Sequence, residues 1–224
     1  MKALTLALAL ALAAPTGAET AKAPPKAPAK AAVSAPKLDE LLAQWKRSPG
    51  LYAKFRDEKH LAMLDAPLVS EGTIHFAPPQ RLSRRTETPI ASVLVIDGNK
   101  LSFGDANGAE SMDLGTNPVA RLFVDSFVKL LEGDRAGLEK MFRVELAARA
   151  GGGWKMTLVP RLAPMDKVIK EMVIVGTGAG TTLSEMDVRE TSGDWTHTVF
   201  TAVDGNRKYT PAEIERLFRP PGKR

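Results

Sequence analysis

Three histidines, His60, His75 and His197, are the only imidazoles in this 224-residue chain, and no cysteine accompanies them. None stands in an H-x-x-x-H or H-x-x-E-H spacing, the patterns that put two imidazoles on one helical face around a metal. A zinc or iron centre would need distant residues to converge, and satisfied strand or loop histidines explain these positions more simply. Without Cys there is no thiol nucleophile, thiolate metal site or disulfide. The G-x-S-x-G elbow of a serine hydrolase is missing. Gly176-Thr177-Gly178-Ala179-Gly180 has the look of a phosphate loop. No Gly-Lys-Ser/Thr ending follows it, and strand alternation resumes at Thr181, so it reads as a long flexible hairpin. Asp65, Glu71, Asp187 and Glu190 read as strand-end acids, and no pair has a spacing that implies general acid–base work. An enzyme would have to assemble its site from distant residues, with His75 and His197 the groups to test. The expectation is a protein that is not an enzyme and has no metal or cofactor.

What the chain does offer is apolar chemistry. Met63, Met112, Met141, Met156, Met165, Met172 and Met186 all lie beyond the first eighteen residues. Flexible thioethers fill gaps in cores, and they also suit surfaces that accept varied apolar partners. The methionines alone favour core filling; taken with the missing catalytic groups, and with the covering helix and secretion signal that follow, they make binding of an apolar ligand the favoured function class.

The elements that would position such a surface can be read from periodicity. Leu38, Leu41, Leu42 and Trp45 fall at i, i+3, i+4 and i+7, an amphipathic helix stopped by Pro49-Gly50. A period of two then takes over, with Leu51, Ala53 and Phe55, and again Gly72, Ile74 and Phe76, alternating with other residues. Turn signals recur at Pro78-Pro79, Asp97-Gly98-Asn99, Asp105 to Gly108, Gly151 to Gly153, Ser192 to Asp194 and Asp204 to Asn206. Between them lie strand candidates at about 81–88, 91–97, 100–104, 109–115, 141–148, 154–159, 168–176, 182–190 and 195–203. Short strands joined by hairpin chemistry predict an antiparallel meander or barrel. One long helix interrupts them, with Asn117 as N-cap and Pro118 at its first position. Its apolar stripe is Val119, Leu122, Phe123, Phe127, Leu130 and Leu131, opposed by Arg121, Asp125 and Lys129. A further turn is expected at 135–140, and Thr210-Pro211 opens a last helix through Phe218. The long helix needs an apolar partner, and the sheet face of Ile74, Phe76, Val93, Val95, Met156, Leu158, Met172 and Ile174 is the one available.

Composition agrees with a mainly β domain. The chain is 44% hydrophobic and 25% charged, which excludes collagen-like and globally disordered classes. Residues 1–18 read as a secretory signal peptide, with Lys2, a short Ala/Leu stretch and Thr16-Gly17-Ala18 before the expected cleavage. Residues 19–37 are an Ala/Pro/Lys-rich tether that favours extended polyproline II. Residues 38–224 form one domain. Of the net charge of +5, four units fall within residues 1–37, so the domain is nearly neutral. That argues against nucleic acid, which calls for a basic face built into a fold.

Several stretches, in order, resemble the LolA family, the periplasmic outer-membrane lipoprotein carriers of Gram-negative bacteria. They are Phe55, Pro67 to Phe76, Pro79-Gln80-Arg81-Leu82, Pro89 and Val93 to Leu101. The Asn117-Pro118 helix, Gly153 to Pro160, Gly193 to Thr196 and Phe200 follow. The resemblance covers about residues 38–205 and implies a strongly curved, incompletely closed antiparallel barrel of about 11 strands, covered by amphipathic helices. It implies acyl chains of lipoproteins, or other lipids, held in an apolar cavity by a monomer. An inner-membrane release complex and an outer-membrane acceptor would be transient partners. Lacking Cys, the chain looks like the soluble carrier and not the lipid-anchored acceptor. On this basis Phe123, Phe127 and Leu130 would form the cover. Phe76, Val93, Val95, Met156, Leu158 and Ile174 would form the floor, and Phe55, Ile74, Leu82, Phe103, Leu114 and Met186 would complete the lining. The family's lid-holding arginine would fall on Pro78 here, with Arg81, Arg84 and Arg85 as nearby candidates. A divergent branch carrying another acyl lipid, or a lipid-sensing regulatory protein on the same fold, are the alternatives.

Overall fold

Helix and strand periods alternate along the chain as the turn chemistry directs. The computed structural model describes residues 36–149, 152–178, 180 and 182–220. The expected signal peptide (1–18) and the expected tether (19–37) lie outside these residues, apart from 36 and 37. Helix α1 (Leu38–Arg47) precedes six strands: β1 (Leu51–His60), β2 (Leu68–Ala77), β3 (Arg81–Thr88), β4 (Ser92–Asp97), β5 (Lys100–Asp105) and β6 (Gly108–Asp113). Helices α2 (Pro118–Leu131) and α3 (Arg135–Met141) follow, then β7 (Phe142–Ala148), β8 (Trp154–Pro160) and the short α4 (Met165–Val168). The chain continues with β9 (Ile169–Thr177), β10 (Thr182–Glu190), β11 (Trp195–Asp204) and α5 (Pro211–Leu217).

All eleven strands join one antiparallel sheet in the order β6-β5-β4-β3-β2-β1-β11-β10-β9-β8-β7. Strands β6 and β7 are its two edges and do not pair with each other, so the sheet is an open, curved half-barrel. Because β6 and β7 are consecutive strands, the α2–α3 connection must run from one edge of the sheet to the other. That topology is what lays α2 over the concave face.

The start of α2 follows from its sequence. Asn117 Oδ1 accepts from the Ala120 N–H at 2.9 Å, and Pro118 occupies the first turn, where its missing donor is no loss. Arg121 donates to Asp125 at 2.9 Å along the helix and also to Asn99 in the β4–β5 turn, tying the helix to the sheet.

Two cores hold the concave side. In the larger, Leu41, Leu42 and Trp45 of α1 pack with Leu130, Leu138, Met141, Phe142 and the β8–β9 side chains Trp154, Met156, Leu158 and Ile174. In the smaller, Val124 and Val128 of α2 meet Ile96 and Leu114. The apolar stripe of α2 is thus wider than its sequence spacing predicted. Val119 is exposed, whereas Val124 and Val128 are buried. A helix that crosses a curved sheet touches it along more than one line.

Glycine is required at Gly72 and Gly176 by close approach. A Cβ on Gly72 would stand 1.9 Å from the Arg85 carbonyl oxygen, at the point where the β2–β3 register shifts. A Cβ on Gly176 would stand 2.2 Å from the Trp154 indole, which lies across that position and donates Nε1–H to the Gly180 carbonyl at 3.0 Å.

The convex face has its own helix. Leu217 and Phe218, at the end of α5, pack with Ala77 and Val95. Before α5, Tyr209 donates its hydroxyl to the Leu51 carbonyl at 2.7 Å and lies 3.2 Å from His75 Nδ1. Burial, aided by Arg85, Arg207 and Arg216, pushes the His75 pKa down to about 4, so this imidazole is neutral at neutral pH.

Candidate functional site

The sheet register aligns side chains in rows across the concave face. One row runs Leu101, Ile96, Leu82, Phe76 and Leu51 from β5 to β1. A second runs Phe103, Leu94, Arg84, Ile74 and Ala53 on the same strands. From the other half of the sheet a third row, Met156, Ile174, Met186 and Thr198, arrives at Asp57 on β1. Over these rows lies α2, anchored on one side by Val124 and Val128 and on the other by Leu130. Between the two cores a cavity of about 500 Å³ remains. Ligand pockets typically enclose about 300–1,000 Å³.

The cavity wall is almost wholly apolar, with Asp57, Arg84 and Thr198 supplying its charged and hydroxyl groups. Arg84 Nη2 donates to Asp57 Oδ2 at 2.6 Å, and Nη1 donates to Thr86 Oγ1 at 2.9 Å. The guanidinium carbon lies 4.2 Å from the centroid of the Phe55 ring. Arg81 instead pairs with Asp97 at 3.1 Å, and Arg85 reaches the Leu217 carbonyl on the convex side at 3.4 Å. Of these three arginines only Arg84 lines the cavity, and its hydrogen bonds run to strands, not to α2. Among the described residues, the side chain that ties α2 to the sheet by a polar contact is Arg121 on the helix itself.

The residues named from sequence distribute unevenly. Ile74, Leu82, Phe123, Phe127, Leu130, Ile174 and Met186 come together around the cavity. Phe55 lies on the concave face beneath Arg84. Phe76 shares that face but sits beside Trp45 and Leu131, under α1. Phe103 is on the outlying β5 and is 46% exposed. Leu114, Met156 and Leu158 are buried in the two cores, away from the cavity lining. Val93 and Val95 must be corrected. They face the convex side and pack with α5, while Leu94 and Ile96 of the same strand face the cavity. Strand β4 is apolar on both faces because α5 covers the outer one, so alternation carries no parity signal there.

Sequence reasoning also missed Trp45, Leu51, Leu183, Phe200 and the Asp57–Arg84 pair. Phe200 and Leu51 could have been found from pairing, since β1 lies between β2 and β11, but only long-range register reveals that. His75 is on the convex face, because its neighbours Ile74 and Phe76 point inward. His197 is likewise outward. It pairs with Asp187 across β10–β11 at 2.6 Å, and Met186 and Thr198 next to them line the cavity. Neither imidazole faces the cavity. Among the described residues no group of three or more His, Asp or Glu side chains could hold a metal ion.

Comparison with known structures finds similar chains at low identity. An uncharacterized conserved protein from Thermus thermophilus is 12% identical, with 82% of this chain and 91% of that one covered and a TM-score of 0.49. A putative outer membrane lipoprotein-sorting protein domain from Vibrio parahaemolyticus is 8% identical, covering 80% and 97%, with a TM-score of 0.44. The Mycobacterium tuberculosis lipoprotein LppX is 11% identical, covering 76% and 93%, with a TM-score of 0.43. No curated protein matches the chain. The family described as outer membrane lipoprotein carrier protein LolA-like matches residues 27–218, which span both cores and every element around the cavity. The chain belongs to this LolA-like family.

Proposed function

We propose that this protein is a periplasmic carrier that takes the acyl chains of lipoproteins into the cavity beneath α2. As a monomer it shuttles them from an inner-membrane release complex to an outer-membrane acceptor. The observation that carries the proposal is the apolar cavity of about 500 Å³ enclosed between the sheet and a helix strung between its two free edges. Each methylene removed from water contributes about 0.8 kcal/mol, so a chain of a dozen or so methylenes supplies on the order of 10 kcal/mol before ordering costs. A carrier must also let go. The cover is a single helix, so partial displacement of α2 would expose the chain without unfolding the sheet.

A release assay tests the shuttle. Purified protein added to spheroplasts of a Gram-negative bacterium that carries it should bring acylated lipoproteins into the soluble fraction above a buffer control. Absence of any release, with the protein still able to take up a neutral fluorescent lipid, would leave a lipid binder and contradict the shuttle.

A further inference from the structure

The cavity wall contains one ion pair, and its chemistry bears on which lipid end the protein accepts; the inference rests on the lipid-binding reading above. Asp57 and Arg84 meet at 2.6 Å with side chains 16% and 33% exposed. Phe55 lies under the guanidinium, Ile74, Ala53 and Met186 stand in neighbouring positions of the same face, and the hydroxyl residues Ser70 and Thr198 flank Asp57 in register. A guanidinium carries five N–H donors. The bonds to Asp57 and Thr86 engage two of the five, on a side chain that lines the cavity.

The two charges offset each other, so the wall presents hydrogen-bond donors without a net positive charge. An ester or amide carbonyl can accept from Arg84 while the ion pair stays intact. A carboxylate entering the same place meets the Asp57 carboxylate. It must either sit beside a like charge or displace Asp57 from the guanidinium and leave that largely buried carboxylate without its cation, and both are unfavourable. We infer that the Asp57–Arg84 pair selects acyl chains by their linkage, seating the neutral carbonyl of an ester- or amide-linked chain and disfavouring the free carboxylate of a fatty acid.

Displacement of the neutral probe N-phenyl-1-naphthylamine by 1-monolaurin and by laurate at pH 7.5 tests this. The readout is the ratio of the laurate to the monolaurin dissociation constant, compared between variants so that the intrinsic hydrophobicity of the two ligands cancels. Asp57→Asn keeps an acceptor for Arg84 but frees its positive charge, and should lower the ratio about tenfold or more. Arg84→Met removes the donors together with the positive charge and leaves Asp57 alone, and should raise the ratio while weakening monolaurin itself. Circular dichroism checks that each variant is folded, and either variant suffices to decide. A ratio unchanged within about twofold in a folded variant that still binds the probe would overturn the selection while leaving lipid binding standing. Failure of the wild-type protein to bind the probe or either lipid would overturn lipid binding itself, and the selection with it.

Discussion

Replacing Phe127 by Glu should weaken acyl-chain uptake about 5- to 25-fold, because full burial of a large apolar side chain contributes about 1.5–3 kcal/mol, about two thirds of this one is buried, and each 1.4 kcal/mol is tenfold. Phe127 projects from α2 into the cavity, one residue before the buried Val128 and three before Leu130. Those neighbours hold the helix in place, so the substitution acts on the cover and not on its anchorage. Since Phe127 is 36% exposed, a carboxylate there can reach water, and the folding penalty should be small. Fluorescence titration with a neutral lipid probe, set beside a thermal scan, separates the two effects. Unchanged uptake would move the cover off α2.

Truncating Trp154 to Ala should have the larger effect on stability, about 3–5 kcal/mol. This indole is fully buried, packs edge-on against Trp45 with centroids 5.8 Å apart, and has its N–H satisfied by the Gly180 carbonyl. Truncation opens a void between α1 and β8–β9 and frees the space over Gly176 that the indole now fills. For a domain of this size each kcal/mol lowers the melting temperature by about 2–4 °C, so a fall of about 10 °C is expected in a thermal scan. A fall of only about 1 °C would show that this core contributes little to stability. Trp45 also lines the cavity, so the same change should loosen one wall of the site.

How much of this was legible beforehand differs between elements and site. Strand positions followed from turn residues, which act locally: Asp97-Gly98-Asn99 and Asp204-Gly205-Asn206 fall where β4 and β11 end. The Asn117 cap and Pro118 marked the start of α2 for the same reason. The face of a strand is a different matter, because it depends on what lies on both sides. In β2 the large apolar Ile74 and Phe76 alternate with Thr73, His75 and the small Ala77, and both point inward. In β4 the run Val93 to Ile96 is apolar throughout, and only the docking of α5, more than a hundred residues later, decides that Leu94 and Ile96 face the cavity. Asp57 and Arg84 were illegible as a pair because two strands of register bring them together. The short α4 has too few residues to show a period.

The cavity beneath α2 is the feature on which the functional reading depends, and its contents can be weighed. Native mass spectrometry of the protein purified from its own cell envelope, followed by solvent extraction, measures them directly. The expected spectrum contains protein ions heavier by one acyl-lipid mass, with the same lipid recovered in the extract. Bare protein alone, together with no binding of added N-phenyl-1-naphthylamine, would contradict a lipid-carrying cavity.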